Sequence, residues 1–185
     1  AAHKLGGPKG VGALVLRRGL DVSPQLKGGG QEMGRRAGTE NLIGIAGFGA
    51  AAAAAARDLA DGGWEQVAEI RNILDSALSA QGFETISVGK LVPRLPNPLC
   101  LIAPGWKGET QVMAMDLAGF AVSAGSACSS GKVRASRVLR AMGYDEGQAA
   151  QAIRISIGPS TTEEEVLRFA EAWSRDYRRI RSRAA

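Results

Sequence analysis

Three features of the 185-residue chain predict an α/β fold: short apolar runs punctuated by glycine and proline, amphipathic stretches with helical spacing, and alternation of the two along the sequence. Taken in order, residues 11–16 read as a short strand after a glycine turn. Residues 28–39 are too glycine-rich and irregular for either element and read as a functional loop. The alanine-rich run 42–59 reads as one long helix passing between domains, with Gly44, Gly47 and Gly49 letting another helix approach. Asp61-Gly62-Gly63 breaks it. Residues 64–80 resume as an amphipathic helix on Val67, Ile70, Leu74, Ala77 and Leu78.

After Gly82, strands near 85–88 and 99–103 flank the proline-rich segment 92–98. A helix over 110–117 and a strand over 120–123 follow. Residues 136–142 read as a helix ending at Gly143, a usual place for a left-handed cap. Residues 153–157 alternate as a strand, and Thr162-Glu163-Glu164-Glu165 is a capping box opening the last helix. On that helix Val166, Ala170, Trp173, Tyr177 and Ile180 repeat at four and three residues, giving one apolar face. The expected domains are residues 1–61, part of a larger domain with its linking helix, and residues 62–185, a small α/β domain.

With 45% hydrophobic residues the chain can bury a core. No apolar run reads as long enough to cross a bilayer, and the start lacks a signal-peptide pattern, so a cytoplasmic protein without membrane attachment is expected. Cys100 and Cys128 lie far apart and follow no zinc spacing, which argues against a disulfide framework or structural metal. Cys100 reads as core strand. The net charge of +5 raises the question of nucleic acid. The arginines of the last helix lie opposite its apolar face and near its C-terminus, where they suit the helix dipole. Without a reader motif they argue against nucleic acid, and an acidic protein partner fits them better.

Two segments carry chemistry. Around Cys128, the run Val122-Ser123-Ala124-Gly125-Ser126-Ala127-Cys128-Ser129-Ser130-Gly131-Lys132 brings little apolar surface to pack, so it is built to expose and move a thiol. Lys132, Arg134 and Arg137 follow and either favour the thiolate or are simply solvated. At the other end, His3-Lys4 runs into Gly6-Gly7-Pro8-Lys9-Gly10. A lysine beside such a turn can bond covalently to a carbonyl cofactor, and the turn amides can help to hold an anion.

With these blocks in view, the chain resembles the pyridoxal-phosphate-dependent cysteine desulfurases of the NifS/IscS type, in the class V aminotransferase family. The resemblance rests on His3-Lys4 with Gly7-Pro8-Lys9-Gly10, on Gly28-Gly29-Gly30-Gln31-Glu32 through Arg35-Arg36-Ala37-Gly38-Thr39-Glu40-Asn41, on Gly125-Ser126-Ala127-Cys128, and on Ile153-Arg154-Ile155-Ser156-Ile157-Gly158. It covers the second half of such an enzyme. It implies a fold-type I pyridoxal-phosphate transferase, here part of the large domain plus the small C-terminal domain.

The resemblance also implies roles. Lys4 would bind the cofactor and move the substrate's Cα proton, and His3 and Thr39 would contact the cofactor, Thr39 across a homodimer interface. Thr39 can also be read as a helix N-cap. Cys128 would take sulfur from L-cysteine as a persulfide, releasing L-alanine, and pass it to an iron-sulfur scaffold or other acceptor protein. Arg154 would grip the substrate carboxylate, the alternative being a salt bridge within the domain. No resident metal is expected, although Cys128 is a candidate transient cluster ligand. Ala1 and Ala2 stand where the family often has a phosphate-binding serine. A selenocysteine lyase, another class V enzyme, and a non-catalytic scaffold or sulfur-accepting module stay open as alternatives.

Overall fold

The computed structural model describes residues 1–125 and 135–184. The chain divides into two compact units, Ala1–Gly62 and Gly63–Ala185.

In the first unit a 3-10 turn, Ala2–Leu5, precedes irregular backbone, a second 3-10 segment at Gln31–Gly34 and helix α1, Leu42–Ala60. Residues 11–16 do not form the expected strand. A strand needs a partner for its backbone groups. Among the described residues only the Val11 carbonyl finds one there, accepting from the Ala2 amide at 3.0 Å, and Leu14 and Val15 stay exposed. On α1 the Pro8 ring lies 3.0 Å from where a Cβ on Gly47 would stand, while Gly49 has open space beside it among the described residues. The expectation that no run reaches membrane length is also corrected. By length and composition alone α1 reaches it, with an 18-residue window of mean hydropathy 1.4 of which 6% is buried. Alanine, with the few leucines and isoleucines, carries that value.

The second unit is an antiparallel sheet with helices on both faces. Its helices are α2 Gly63–Ser79, α3 Gly108–Leu117, α4 Arg137–Ala141, α5 Glu146–Ala150 and α6 Glu163–Ala184. Strands β1 Ile86–Ser87, β2 Pro98–Ile102, β3 Ser123–Ala124 and β4 Ala152–Ser156 are ordered β1-β2-β4-β3. Leu99 and Leu101 of β2 pair with Ile155 and Ile153 of β4, and this face meets Leu74 and Leu78 of α2 and Val166, Phe169, Trp173 and Tyr177 of α6. Each buried aromatic ring removes roughly 150–250 Å² from water, which is roughly 4–6 kcal/mol as an upper bound. Gln111 and Tyr177 are hydrogen-bonded inside this core, while Ser174 Oγ finds no partner among the described residues. Gln111 donates to the Trp106 and Gln151 carbonyls, both at 2.9 Å, and accepts from Trp173 Nε1 at 3.0 Å, while the Tyr177 hydroxyl donates to the Pro104 carbonyl at 2.7 Å.

The opposite face holds a smaller cluster of Val88, Ile102, Leu139, Ala149 and Ala152, closed by α4 and α5. Sequence reasoning had no helix at α5. Its signal was present, since Asp145 accepts from the Gln148 amide at 2.8 Å while the Gln148 side chain accepts from the Asp145 amide at 3.1 Å. The Thr162–Glu165 box that opens α6 forms as expected, with the Glu165 amide donating to Thr162 Oγ1. Gly108 brings α3 onto the sheet: a Cβ there would lie 2.6 Å from the Ala152 carbonyl oxygen.

Candidate active site

Lys4 sits on a turn whose backbone is fixed and whose side chain is not. The Lys4 amide donates to the Ala1 carbonyl at 3.2 Å and the Gly7 amide to the Ala2 carbonyl at 2.9 Å. Gly6 closes the turn at φ 87°, a left-handed conformation that favours glycine. Gly7 is required for a second reason, because a Cβ there would stand 2.9 Å from the Cβ of the fully buried Ala2. His3 and Lys4 are both exposed, and among the described residues Lys4 has no acidic partner.

Thr39 ends a loop braced by its own backbone: the Ala37 amide donates to the Leu26 carbonyl at 3.0 Å and the Gly38 amide to Gln31 Oε1 at 3.2 Å. Glu32 and Met33 are left-handed, at φ 49° and 58°, and such non-glycine positions cost on the order of 1–3 kcal/mol each. Thr39 does not cap α1. Asn41 does, accepting from the Gly44 amide at 3.0 Å, which leaves the Thr39 hydroxyl exposed and outside the cap. An exposed primary amine on a hydrogen-bonded turn, with no acid partner among the described residues, an imidazole next to it in the chain and a hydroxyl in the same unit, fits a phosphorylated aldehyde. His3, Lys4 and Thr39 thus fit the lysine anchor and polar contacts of pyridoxal phosphate.

In the second unit Arg154 lies mid-strand on β4, between Cys100 of β2 and Ser123 of β3 in the sheet register. Alternation along β4 sends Ile153 and Ile155 into the main core and leaves Arg154 exposed on the other face. It forms no salt bridge among the described residues, so the intradomain pairing considered for it is absent there. Arg154 lines a cavity of about 420 Å³ with Cys100, Ser123, Gly125, Ser136 and Arg137. Among the described residues two guanidinium groups and no carboxylate line it, which suits a ligand carboxylate.

Cys100 is on a strand as read, but half-buried and lining this cavity. Burial pushes its thiol up, and the Arg154 charge pulls it back by less, so Cys100 is protonated at neutral pH. Sequence reasoning missed Cys100 and Ser123 as cavity residues because strand register is not visible in the chain. Cys128, Lys132 and Arg134 lie outside the described residues. Gly125, the last described residue before them, lines the Arg154 cavity.

The fold is a piece of an α/β protein with an exposed lysine on a glycine turn in one unit and, in the other, a cavity-lining arginine that forms no salt bridge among the described residues. The chain belongs to the aminotransferase class-V family, which matches residues 1–169. It is 43% identical over 185 residues to a cysteine desulfurase of Frankia sp. (strain EuIK1), covering 98% of this chain and 44% of that protein. Against the cysteine desulfurase NifS of Azotobacter vinelandii it is 41% identical over 166 residues, 90% of this chain and 41% of that protein. A solved NifS-like protein superposes with a TM-score of 0.81 at 35% identity, covering 95% of this chain and 44% of that one. The chain therefore spans somewhat less than half the length of these relatives.

Proposed function

We propose that the chain is the C-terminal part of a cysteine desulfurase that converts L-cysteine to L-alanine and carries the sulfur as a persulfide on Cys128. On this reading residues 1–61 belong to the large cofactor domain and residues 62–185 form the small domain. The observation that carries the reading is Arg154, a charged strand residue with no acid partner among the described residues, facing a cavity lined by a second arginine. Family membership and the 43% identity to a cysteine desulfurase support it.

Pyridoxal phosphate, when bound, supplies an electron sink that makes the substrate's Cα proton removable. His3, Lys4 and Thr39 would hold it, with Thr39 contributed across a homodimer. Lys4 Nζ accepts the Cα proton. Arg154 grips the carboxylate through two parallel hydrogen bonds, fixing the sulfur toward the Cys128 thiolate. That thiolate attacks the substrate sulfur. The new S–S bond forms as the Cβ–S bond breaks, its electron pair passes to Cβ, Cβ takes up a proton, and Lys4 Nζ returns a proton to Cα to give alanine. The persulfide then passes to an acceptor protein, an iron-sulfur scaffold being the class we favour, in the cytoplasm.

The test is alanine formation from L-cysteine by the whole protein, with the Cys128 peptide weighed by mass spectrometry. Cys128→Ala abolishes turnover and the added sulfur atom, while Cys100→Ala keeps both. Turnover surviving in Cys128→Ala overturns the mechanism and leaves another class V activity.

A further inference from the structure

On the second unit, away from the Arg154 face, the proline-rich segment between β1 and β2 meets α2 around a cavity of about 430 Å³. Arg71, Asp75, Lys90 and Arg94 line it, three cations with a single carboxylate. Asp75, 4% exposed, is already committed. Arg94 Nη2 stands 2.8 Å and Lys90 Nζ 3.8 Å from its oxygens, and Ser87 Oγ donates to it at 3.1 Å.

Arg71 is the group left over. It is 9% exposed, and its hydrogen bonds go to neutral acceptors, the Leu95 carbonyl at 2.7 Å and Asn72 Oδ1 at 3.0 Å. Its Nε is buried and has no partner among the described residues. Tying down the proline-rich segment explains the two Nη contacts. It leaves unexplained a buried cation that forms no salt bridge among the described residues, an arrangement that is costly in general. Arg94 adds to the strain, since burial and its charge both disfavour the charged form of Arg71, with Asp75 opposing by less.

We propose that this cavity is a binding site for a phosphate group, with Arg71, Lys90 and Arg94 as its cationic ligands. A phosphate offers Lys90 Nζ the close acceptor it lacks among the described residues, where Asp75 stands 3.8 Å away, and its charge offsets the surplus of two. At about 430 Å³ the cavity falls in the range of small-molecule sites, roughly 300–1,000 Å³, so a phosphorylated metabolite fits it better than the bare ion. The site is independent of the desulfurase reading, because no residue of that mechanism lines it.

The experiment titrates inorganic phosphate and, separately, ribose 5-phosphate into the whole protein, following calorimetric heat and the NMR signal of the Arg71 Nε–H group. Saturable binding that shifts this signal and weakens at least tenfold in Lys90→Gln, and further in Lys90→Glu, is the expected result. Tighter binding of the sugar phosphate identifies an organic ligand, and equal binding identifies the free ion. Lys90 is half exposed, so its variants keep the fold, checked by near-UV circular dichroism. Absence of binding, or binding unchanged by the Lys90 substitutions and silent at Arg71, overturns the proposal and assigns any heat to another anion site. Neither outcome bears on alanine formation.

Discussion

Arg154 and Arg71 are both arginines on regular elements, and what separates them is their acceptors. The strand that carries Arg154 was legible in the sequence, and the motif around it resembles a substrate anchor, but its exposure on the face away from Ile153 and Ile155 was not read there. Arg71 was not legible. It stands four residues after Val67 and three before Leu74 on the buried side of α2, and the proline-rich segment that meets it there, through the Leu95 carbonyl, is not visible in the helix pattern. Lys4 was legible for a related reason, since the glycines that shape its turn are visible as letters, whereas the choice of Asn41 over Thr39 as the cap depends on backbone geometry. If Arg154 grips the carboxylate as proposed, Arg154→Gln lowers kcat/KM for L-cysteine on the order of 10–100-fold, the worth of a charge-assisted hydrogen bond at roughly 1.5–3 kcal/mol. The loss falls mainly on KM. Arg154→Lys recovers part of it, because the charge returns without the fork. Far-UV circular dichroism stays unchanged, as an exposed strand residue requires, and unaltered kinetics in Arg154→Gln would remove the residue from the site.

Among the elements, α6 was read most completely, because one helix face carries its whole packing: every fourth or third residue from Val166 to Tyr177 is buried, and the Thr162 box starts it where expected. Strands were read less well. Residues 11–16 have a strand's composition and no partner among the described residues, and pairing is what makes a strand. Helix α5 is only five residues long, too short for apolar periodicity to register, so its capping box was the one available sign. Tyr177 links α6 to the turn after β2 and carries a testable pH dependence. Burial pushes its phenol above the ordinary value, and Arg181 opposes this by less. A group whose folded pKa is raised stabilises fully below its unfolded value, roughly 10 for tyrosine, and that contribution is lost as pH rises through the folded value. Tyr177→Phe therefore costs about 1 kcal/mol at neutral pH by leaving the Pro104 carbonyl without its donor. It also flattens the fall of Tm above roughly pH 10. Urea midpoints across that range check both, and a parallel alkaline decline in the two proteins would show that Tyr177 does not titrate on unfolding.

At the scale of the whole chain, the two units differ in how they bury apolar surface. Gly63–Ala185 has two clusters on opposite faces of its sheet, although the strand order that builds them could not be read from the sequence. In Ala1–Gly62 the buried positions among the described residues are Ala2 and Gly44, while Leu14, Val15, Met33, Leu42 and Ile43 are exposed. A unit with so little buried cannot offset its conformational entropy by itself. The relatives are more than twice as long as this chain, and the proposed assignment of residues 1–61 to a larger domain supplies the missing cover. The consequence is measurable by limited proteolysis. Residues 1–185 alone are cut first within or just after Ala1–Gly62, leaving a resistant fragment that begins near Gly63, and they bind a hydrophobic dye strongly. In the longer protein the same bonds are protected and dye binding falls, because Ile43, Leu42 and Val15 are covered. Equal protection in both preparations would mean that Ala1–Gly62 is stable without that cover, and its place in a larger domain would lose its physical basis.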